Sequence, residues 1–233
     1  MNRSIPLVDL AKYRSNDQSQ RSEFVSELGK AFHIVGFVGV INHGIPEDLV
    51  DKFYAAAKEF FSMPEEVKLK YQIAGMAGQR GYTAFGREHA KHSEVPDLKE
   101  FFQIGQDVDE EHPKHSEYPD NVPVEEVPDF LDFGLKLYRQ FEKSGGDLLR
   151  AIADHLELAN DYFESRIDGG SSILRAIHYP PIIREPKTAI RAEQHEDINL
   201  ITLLVGASAG GLQVLNKNNE WVDVIPQEGE IVV

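Results

Sequence analysis

The sequence predicts an α+β fold, on three observations. Amphipathic helical patterns fill the first two-thirds of its 233 residues, and short β-type runs separated by turn residues fill the last third. No repeat or low-complexity tract interrupts either part. A hydrophobic fraction of 41%, with 13 Phe and 8 Tyr, is enough for a sizeable core, and the length suits one large domain or two small ones.

The elements follow in order. The apolar segment 5–10 (IPLVDL) reads as a strand. Phe24, Leu28, Ala31, Phe32 and Val35 recur at spacings of three and four and predict a helix. The run 36–46 (GFVGVINHGIP) turns to β composition and ends on a Gly and Pro turn signal. Pro46 opens a second helix, in whose first turn a proline is tolerated, with Leu49, Val50, Phe53, Ala56, Ala57, Phe60 and Phe61 as its buried face. A third, short helix starts at Pro64.

Residues 73–99 are rich in glycine, polar groups and charge and predict an ordered loop over a site; 99–105 (KEFFQIG) reads as a strand. A polar stretch, 107–128, precedes a long helical pattern over Asp129 to Asn160, with Gly145-Gly146 as its expected break. After Gly169 the runs ILRAIHYP, INLITLLVG, GLQVLN, EWVDVIP and EIVV succeed one another at sandwich or barrel spacing. The last of these, Glu230 to Val233, ends on apolar residues, which predicts an unpaired sheet edge and either a fragment of a longer chain or completion by another chain.

Charge and composition exclude several functions. With 24 basic against 39 acidic residues the net charge is −15, and such a surface repels a phosphate backbone; no basic stripe is visible, so nucleic acid is not expected as a partner. No apolar run reaches the ~20 residues of a membrane-spanning helix, and no apolar secretory stretch is seen at the N-terminus, so a cytoplasmic protein without a membrane partner is expected. Zero Cys leaves only His, Asp and Glu as metal ligands. Neither a phosphate-binding P-loop nor a G-x-S-x-G nucleophile elbow is present. The oligomeric state is not legible.

The sharpest local feature is Gln194-His195-Glu196-Asp197. In extended backbone residues i and i+2 project to one side, so His195 and Asp197 offer an imidazole and a carboxylate to one ion. Such a pair is two-thirds of the facial triad that binds non-haem Fe(II). A surface histidine among acidic residues at a strand start is the other reading of the same four residues.

The surrounding motifs resemble the isopenicillin N synthase-like branch of the Fe(II)/2-oxoglutarate-dependent oxygenases, with R-x-x-x-Y-P-P, then H-x-D-x-x-x-x-T, G-L-Q-V and W-x-x-V. The matching residues are Arg175, Tyr179, Pro180, Pro181, His195, Asp197, Thr202, Gly211 to Val214, Trp221 and Val224. At the front, IPLVDL, GFVGVINHGIP and Phe60-Phe61 before Met63-Pro64 agree as well. The resemblance implies a double-stranded β-helix (jelly-roll) core with N-terminal helices, incomplete at the C-terminus. It divides the chain into an N-terminal helix-rich region, 1–168, and the first part of the jelly-roll domain, 169–233. It also implies Fe(II) on His195 and Asp197, and a Tyr179 hydroxyl that hydrogen-bonds the carboxylate of 2-oxoglutarate.

The implied reaction uses molecular oxygen to oxidise a small-molecule substrate by hydroxylation, desaturation or cyclisation, with release of succinate and CO2. The family's second iron-binding His and its Arg-x-Ser pair have no counterpart within these residues, and Ile177 stands where plant members place Asn. Two alternatives stay open at this point: an oxidase of the same fold that uses no 2-oxoglutarate, and a non-catalytic binding protein.

Arg80, Tyr82 and Arg87 lie in the glycine-rich loop, and Arg80 is the candidate cation for an anionic substrate; a solvated loop with structural glycines is the other reading of the same segment. His33, His43 and His178 read as core or boundary histidines, and His89, His92, His112 and His115 as surface. Trp221 reads as a packing residue, and the role of Arg175 is open between structural and near-site.

Overall fold

The computed structural model describes residues 5–76, 79–88, 97–182, 191–197, 199–206 and 210–233. Nine strands and six α-helices are assigned among them, in two compact units: Met1–Ile45, Gln140–Arg166 and Asp197–Val233 form the first, Pro46–Arg139 and Ile167–Glu196 the second.

In the first unit β1 (Leu7–Asp9) pairs in parallel with β2 (Gly39–Ile41). Parallel neighbours need a crossover, here α1 (Leu10–Arg14) and α2 (Gln18–Ile34). Both helices start on an aspartate cap: Asp9 accepts the Ala11 N–H and Asp17 the Ser19 N–H. The five residues of α1 are too few to show a period, so the sequence pattern runs straight through it as strand and loop.

The sheet order is β1-β2-β9-β6, with β6 at Leu204–Val205 and β9 at Ile231–Val232. The apolar run at 230–233 is therefore no open edge. β9 lies antiparallel between β2 and β6, and Ile231, Val232 and Val233 are all buried. A hairpin of β7 (Gln213–Leu215) and β8 (Trp221–Asp223) completes this unit. Ile5, Val214, Val224 and Val232 form one small cluster of its buried residues. Trp221 does not pack there: it is 51% exposed, because alternation along β8 turns Val222 inward and Trp221 outward.

The second unit is built on an aromatic core. Phe60, at the end of α3 (Glu47–Phe61), meets Tyr71, Tyr82, Phe102 and Phe130 at ring-centroid distances of 5.2–5.8 Å, mostly edge to face. A short helix, α4 (Glu65–Lys68), follows α3. The sheet of this unit is antiparallel, in the order β3 (Gly81–Thr83), β4 (Glu100–Gly105), β5 (Ile173–His178). β3 falls inside the glycine-rich segment expected to be loop. Gly81 has φ +72°, and a Cβ there would sit 2.3 Å from the Tyr71 carbonyl oxygen, so the glycine serves a close backbone approach within a sheet.

The long helix α5 (Asp129–His155) runs unbroken through Gly145-Gly146. A glycine in a helix costs about 1 kcal/mol, too little to break 27 residues carrying buried Phe130, Leu137, Tyr138, Leu148 and Leu149. A Cβ at Gly134 would meet Ile104 Cδ1 at 2.2 Å, so a side chain there would require Ile104 to move. A one-turn helix, α6 (Glu164–Ile167), has no legible signal in the sequence. No helix among the described residues is long and apolar enough to cross a membrane.

Candidate functional site

β5 carries the chain to the first candidate. Its residues alternate, with Leu174, Ala176 and His178 turned toward the core and Ile173, Arg175 and Ile177 exposed. The strand ends at His178, so Tyr179 opens the Tyr-Pro-Pro turn in half-buried surroundings. Burial pushes the Tyr179 hydroxyl above its ordinary value, with smaller and opposing influences from Lys99, Asp97, Glu88 and Arg175. The phenol stays protonated at neutral pH and remains a hydrogen-bond donor.

A chain of charges borders Tyr179. Arg175 Nη1 reaches both Glu88 carboxylate oxygens at 3.2 and 3.3 Å, and its guanidinium lies 4.3 Å over the Phe101 ring. Lys99 Nζ lies 2.7 Å from Glu88 and 2.9 Å from Asp97. Burial pulls the Lys99 ammonium down, but the bonds to Asp97 and Glu88 outweigh it and its pKa ends above the ordinary lysine value. Asp97 Oδ1 in turn accepts the Glu193 N–H at 3.1 Å.

His195 is exposed, and its Nδ1 lies 2.7 Å from the Glu193 carbonyl oxygen. When Nδ1–H donates to that carbonyl, Nε2 carries the lone pair, which is the tautomer a metal requires. Asp197 accepts a hydrogen bond from the Thr202 hydroxyl, and Asn199 Nδ2 donates to Thr202 Oγ1 at 2.9 Å. Thr202 thus has a physical reason to sit five residues after the aspartate: its hydroxyl fixes the carboxylate.

The donor set fits Fe(II), for which imidazole and carboxylate are suitable ligands. Among the described residues no group of three or more His, Cys, Asp or Glu side chains is placed to hold a metal. A facial triad uses three donors, of which His195 and Asp197 would supply two.

Arg80 takes a different position from the one its loop suggested. It is 4% exposed, and its guanidinium fills the space a Cβ on Gly105 would occupy. Nη1 donates to the Gln79 carbonyl at 2.8 Å, while Nε has no hydrogen-bond partner among the described residues. Burial pulls its pKa below the ordinary arginine value. With Gln72, Tyr82, Thr83 and the exposed Arg87 it lines a cavity of about 270 Å³. Tyr82 is a core residue, 2% exposed, whose hydroxyl donates to Glu100.

The histidines divide as follows. His43 is buried, its Nδ1 accepting the Ile45 N–H, and His178 is bonded to Glu100. His33 is exposed, a correction to its expected burial, because it lies in the last turn of α2 beyond the buried stripe. His115 is exposed and His112 half-buried. His89 and His92 lie outside the described residues.

Sequence reasoning missed Glu88, Asp97, Lys99 and the Glu193 backbone. The only signal for them is an excess of charge just before an apolar strand.

Comparison with known proteins defines the class, a non-haem iron oxygenase. Residues 5–125 match the family model for the non-haem dioxygenase in morphine synthesis N-terminal region, and residues 170–233 match the 2OG-Fe(II) oxygenase superfamily. The proline hydroxylase buaE of Petromyces alliaceus is 33% identical over 216 residues, covering 89% of this chain and 66% of that protein. The 2-oxoglutarate-dependent dioxygenase frbA of a Dothideomycetidae species is 31% identical, covering 94% and 68%.

Among solved structures, a 2OG-Fe(II) oxygenase family protein of Caulobacter crescentus superposes with a TM-score of 0.85 at 36% identity, over 99% of this chain and 73% of that one. A full-length Neurospora crassa protein in complex with alpha-KG and thymine gives 0.83 at 31%, over 98% and 72%. The chain belongs to the 2-oxoglutarate-dependent Fe(II) oxygenase family, with the jelly-roll fold of that family, and its cofactors are Fe(II) and 2-oxoglutarate.

Proposed function

We propose that the protein hydroxylates a C–H bond of a small organic substrate, with residues 169–233 as the first part of the jelly-roll domain and residues 1–168 as the helix-rich region before it. The reaction balances as substrate, O2 and 2-oxoglutarate giving hydroxylated substrate, succinate and CO2, with one oxygen atom in each of the first two products. Hydroxylation, rather than desaturation or cyclisation, is favoured by the proline hydroxylase among its relatives. The observation that carries the reading is the pairing of an Nδ1-anchored His195 with a Thr202-anchored Asp197 in one H-x-D sequence.

In this reading His195 Nε2 and the Asp197 carboxylate hold the iron, which supplies oxygen activation when bound. Tyr179 donates its hydroxyl hydrogen to a 2-oxoglutarate carboxylate, a role its raised pKa supports because the donor proton is retained. Arg80 binds an anionic group of the substrate from the wall of its cavity, where a desolvated guanidinium makes a strong charge-assisted bond.

The test is conversion of 2-oxoglutarate to succinate by the full chain with Fe(II), with and without a panel of small amino-acid and pyrimidine substrates. Substrate-stimulated succinate that disappears in His195→Ala and Asp197→Ala supports the reading. Tyr179→Phe is expected to raise KM for 2-oxoglutarate about tenfold, as loss of a hydrogen bond worth ~1.5 kcal/mol does. Undiminished turnover in His195→Ala would reject the metal assignment.

A further inference from the structure

The charge chain beside Tyr179 ends on a backbone group, and that end has no role in the reading above. Each of its links is short: Arg175 to Glu88, Glu88 to Lys99, Lys99 to Asp97, Asp97 to the Glu193 N–H. Glu193 is also the residue whose carbonyl faces His195 Nδ1. One residue is thus gripped at its N–H by Asp97 and presents its C=O to the imidazole.

The side chains of Asp97 and Lys99 are 5% and 8% exposed. A buried ion pair of this kind is a weak source of stability, because desolvation offsets most of its attraction, and apolar replacements often do as well. An apolar pair would however offer no acceptor to a backbone N–H in the irregular segment 191–197. A carboxylate does, with a charge-assisted bond, and Lys99 Nζ orients it through its second oxygen.

We propose that Asp97, held by Lys99 and Glu88, is a positioning residue for His195: it fixes Glu193, so that the Glu193 carbonyl selects the Nδ1–H tautomer and leaves Nε2 aimed for metal. The inference rests on the reading of His195 as an iron ligand. Outer partners of metal-binding histidines typically change affinity 10- to 100-fold when removed. Asp97 acts through one intervening residue, so the lower end of that range applies.

The experiment is titration of the full-length protein with Co(II), followed by absorbance, together with 15N NMR of the metal-free His195 imidazole. Asp97→Ala is expected to weaken Co(II) binding about tenfold and to shift the imidazole from one tautomer to a mixture. Asp97→Asn keeps an oxygen acceptor for the Glu193 N–H and is expected to stay within about twofold of wild type. Lys99→Gln, which leaves Asp97 in place but removes its cation, is expected to give a smaller loss in the same direction and serves if Asp97→Ala does not fold.

Wild-type affinity and an unchanged imidazole spectrum in Asp97→Ala would overturn the proposal, as would an equal loss in Asp97→Asn and Asp97→Ala. His195→Ala separates the two readings. If it abolishes Co(II) binding while Asp97→Ala does not affect it, only the positioning role fails. If His195→Ala leaves binding intact, the metal assignment falls first and the positioning role with it.

Discussion

Lys99 and Glu100 are neighbours in sequence, yet each anchors a buried charge network of a different kind. Glu100, 3% exposed, accepts from Lys68 Nζ at 2.7 Å and from the Tyr82 hydroxyl, and lies 2.7 Å from His178 Nδ1. Lys68 also donates to the Phe61 carbonyl at 3.3 Å, and the Phe61 ring stacks on His178. Each partner belongs to a regular element or its end: α3, α4, β3 and β5. The Lys99 network instead leaves the sheet and terminates on the Glu193 amide. One set of charges locks elements to each other, and the other reaches into irregular chain where regular structure supplies no bonds.

The comparison is tested most severely at Glu100. Removing one partner of a buried pair strands the other, so Glu100→Ala or Lys68→Ala is expected to lower stability by about 3–5 kcal/mol in chemical denaturation. A loss under ~1 kcal/mol would show that this network is no lock. Acid titration sharpens the same point. Burial pushes the Glu100 carboxyl up, but Lys68, Tyr82 and His178 together outweigh it and hold its pKa below the usual glutamate value of 4.5. A lowered folded-state pKa means stability that is fully present above 4.5 and is lost as pH falls through the lower folded value. Wild type is therefore expected to lose denaturant resistance below about pH 4.5 more steeply than Glu100→Gln. Equal pH profiles would contradict the shift.

The smallest effect is expected at the outer end of the Lys99 network. The Arg175 and Glu88 side chains are 36% and 33% exposed, and such pairs contribute about 0–1 kcal/mol. Arg175→Gln, which removes only the outer cation, is thus expected to move the thermal midpoint by a few degrees at most. A loss comparable to that of Glu100→Ala would erase the distinction between the two networks.

Much of this is legible in the sequence, for identifiable reasons. The strands and long helices follow from hydrophobic period, and His195, Asp197 and Tyr179 stand in motifs that are local in the chain. What is not legible depends on distant partners. The burial of Arg80 and Tyr82 follows from the three-residue strand β3 and from a Tyr71 carbonyl against Gly81, neither of which has a period to detect. The apolar run at 231–233 shows its strand character but not its two partners. Trp221 departs from its expected packing because hairpin β7–β8 leaves one face outward, and alternation alone does not say which. Asp97 and Lys99 carry no motif, since their target is a backbone amide on a segment far along the chain.

The place of β9 has a further consequence, for the order in which the molecule folds. Val38 and Val233 exchange two backbone hydrogen bonds of 2.9 Å, although nearly the whole chain lies between them. Closing so long a loop carries an entropic penalty before any contact rewards it, and rates fall as such separations come to dominate a fold. The helices and the β1–β2 crossover are therefore expected to form early, with one side of β2 waiting unsatisfied. Until β9 arrives, that edge is a template for any extended chain nearby, and the nascent protein is most prone to aggregate in that interval.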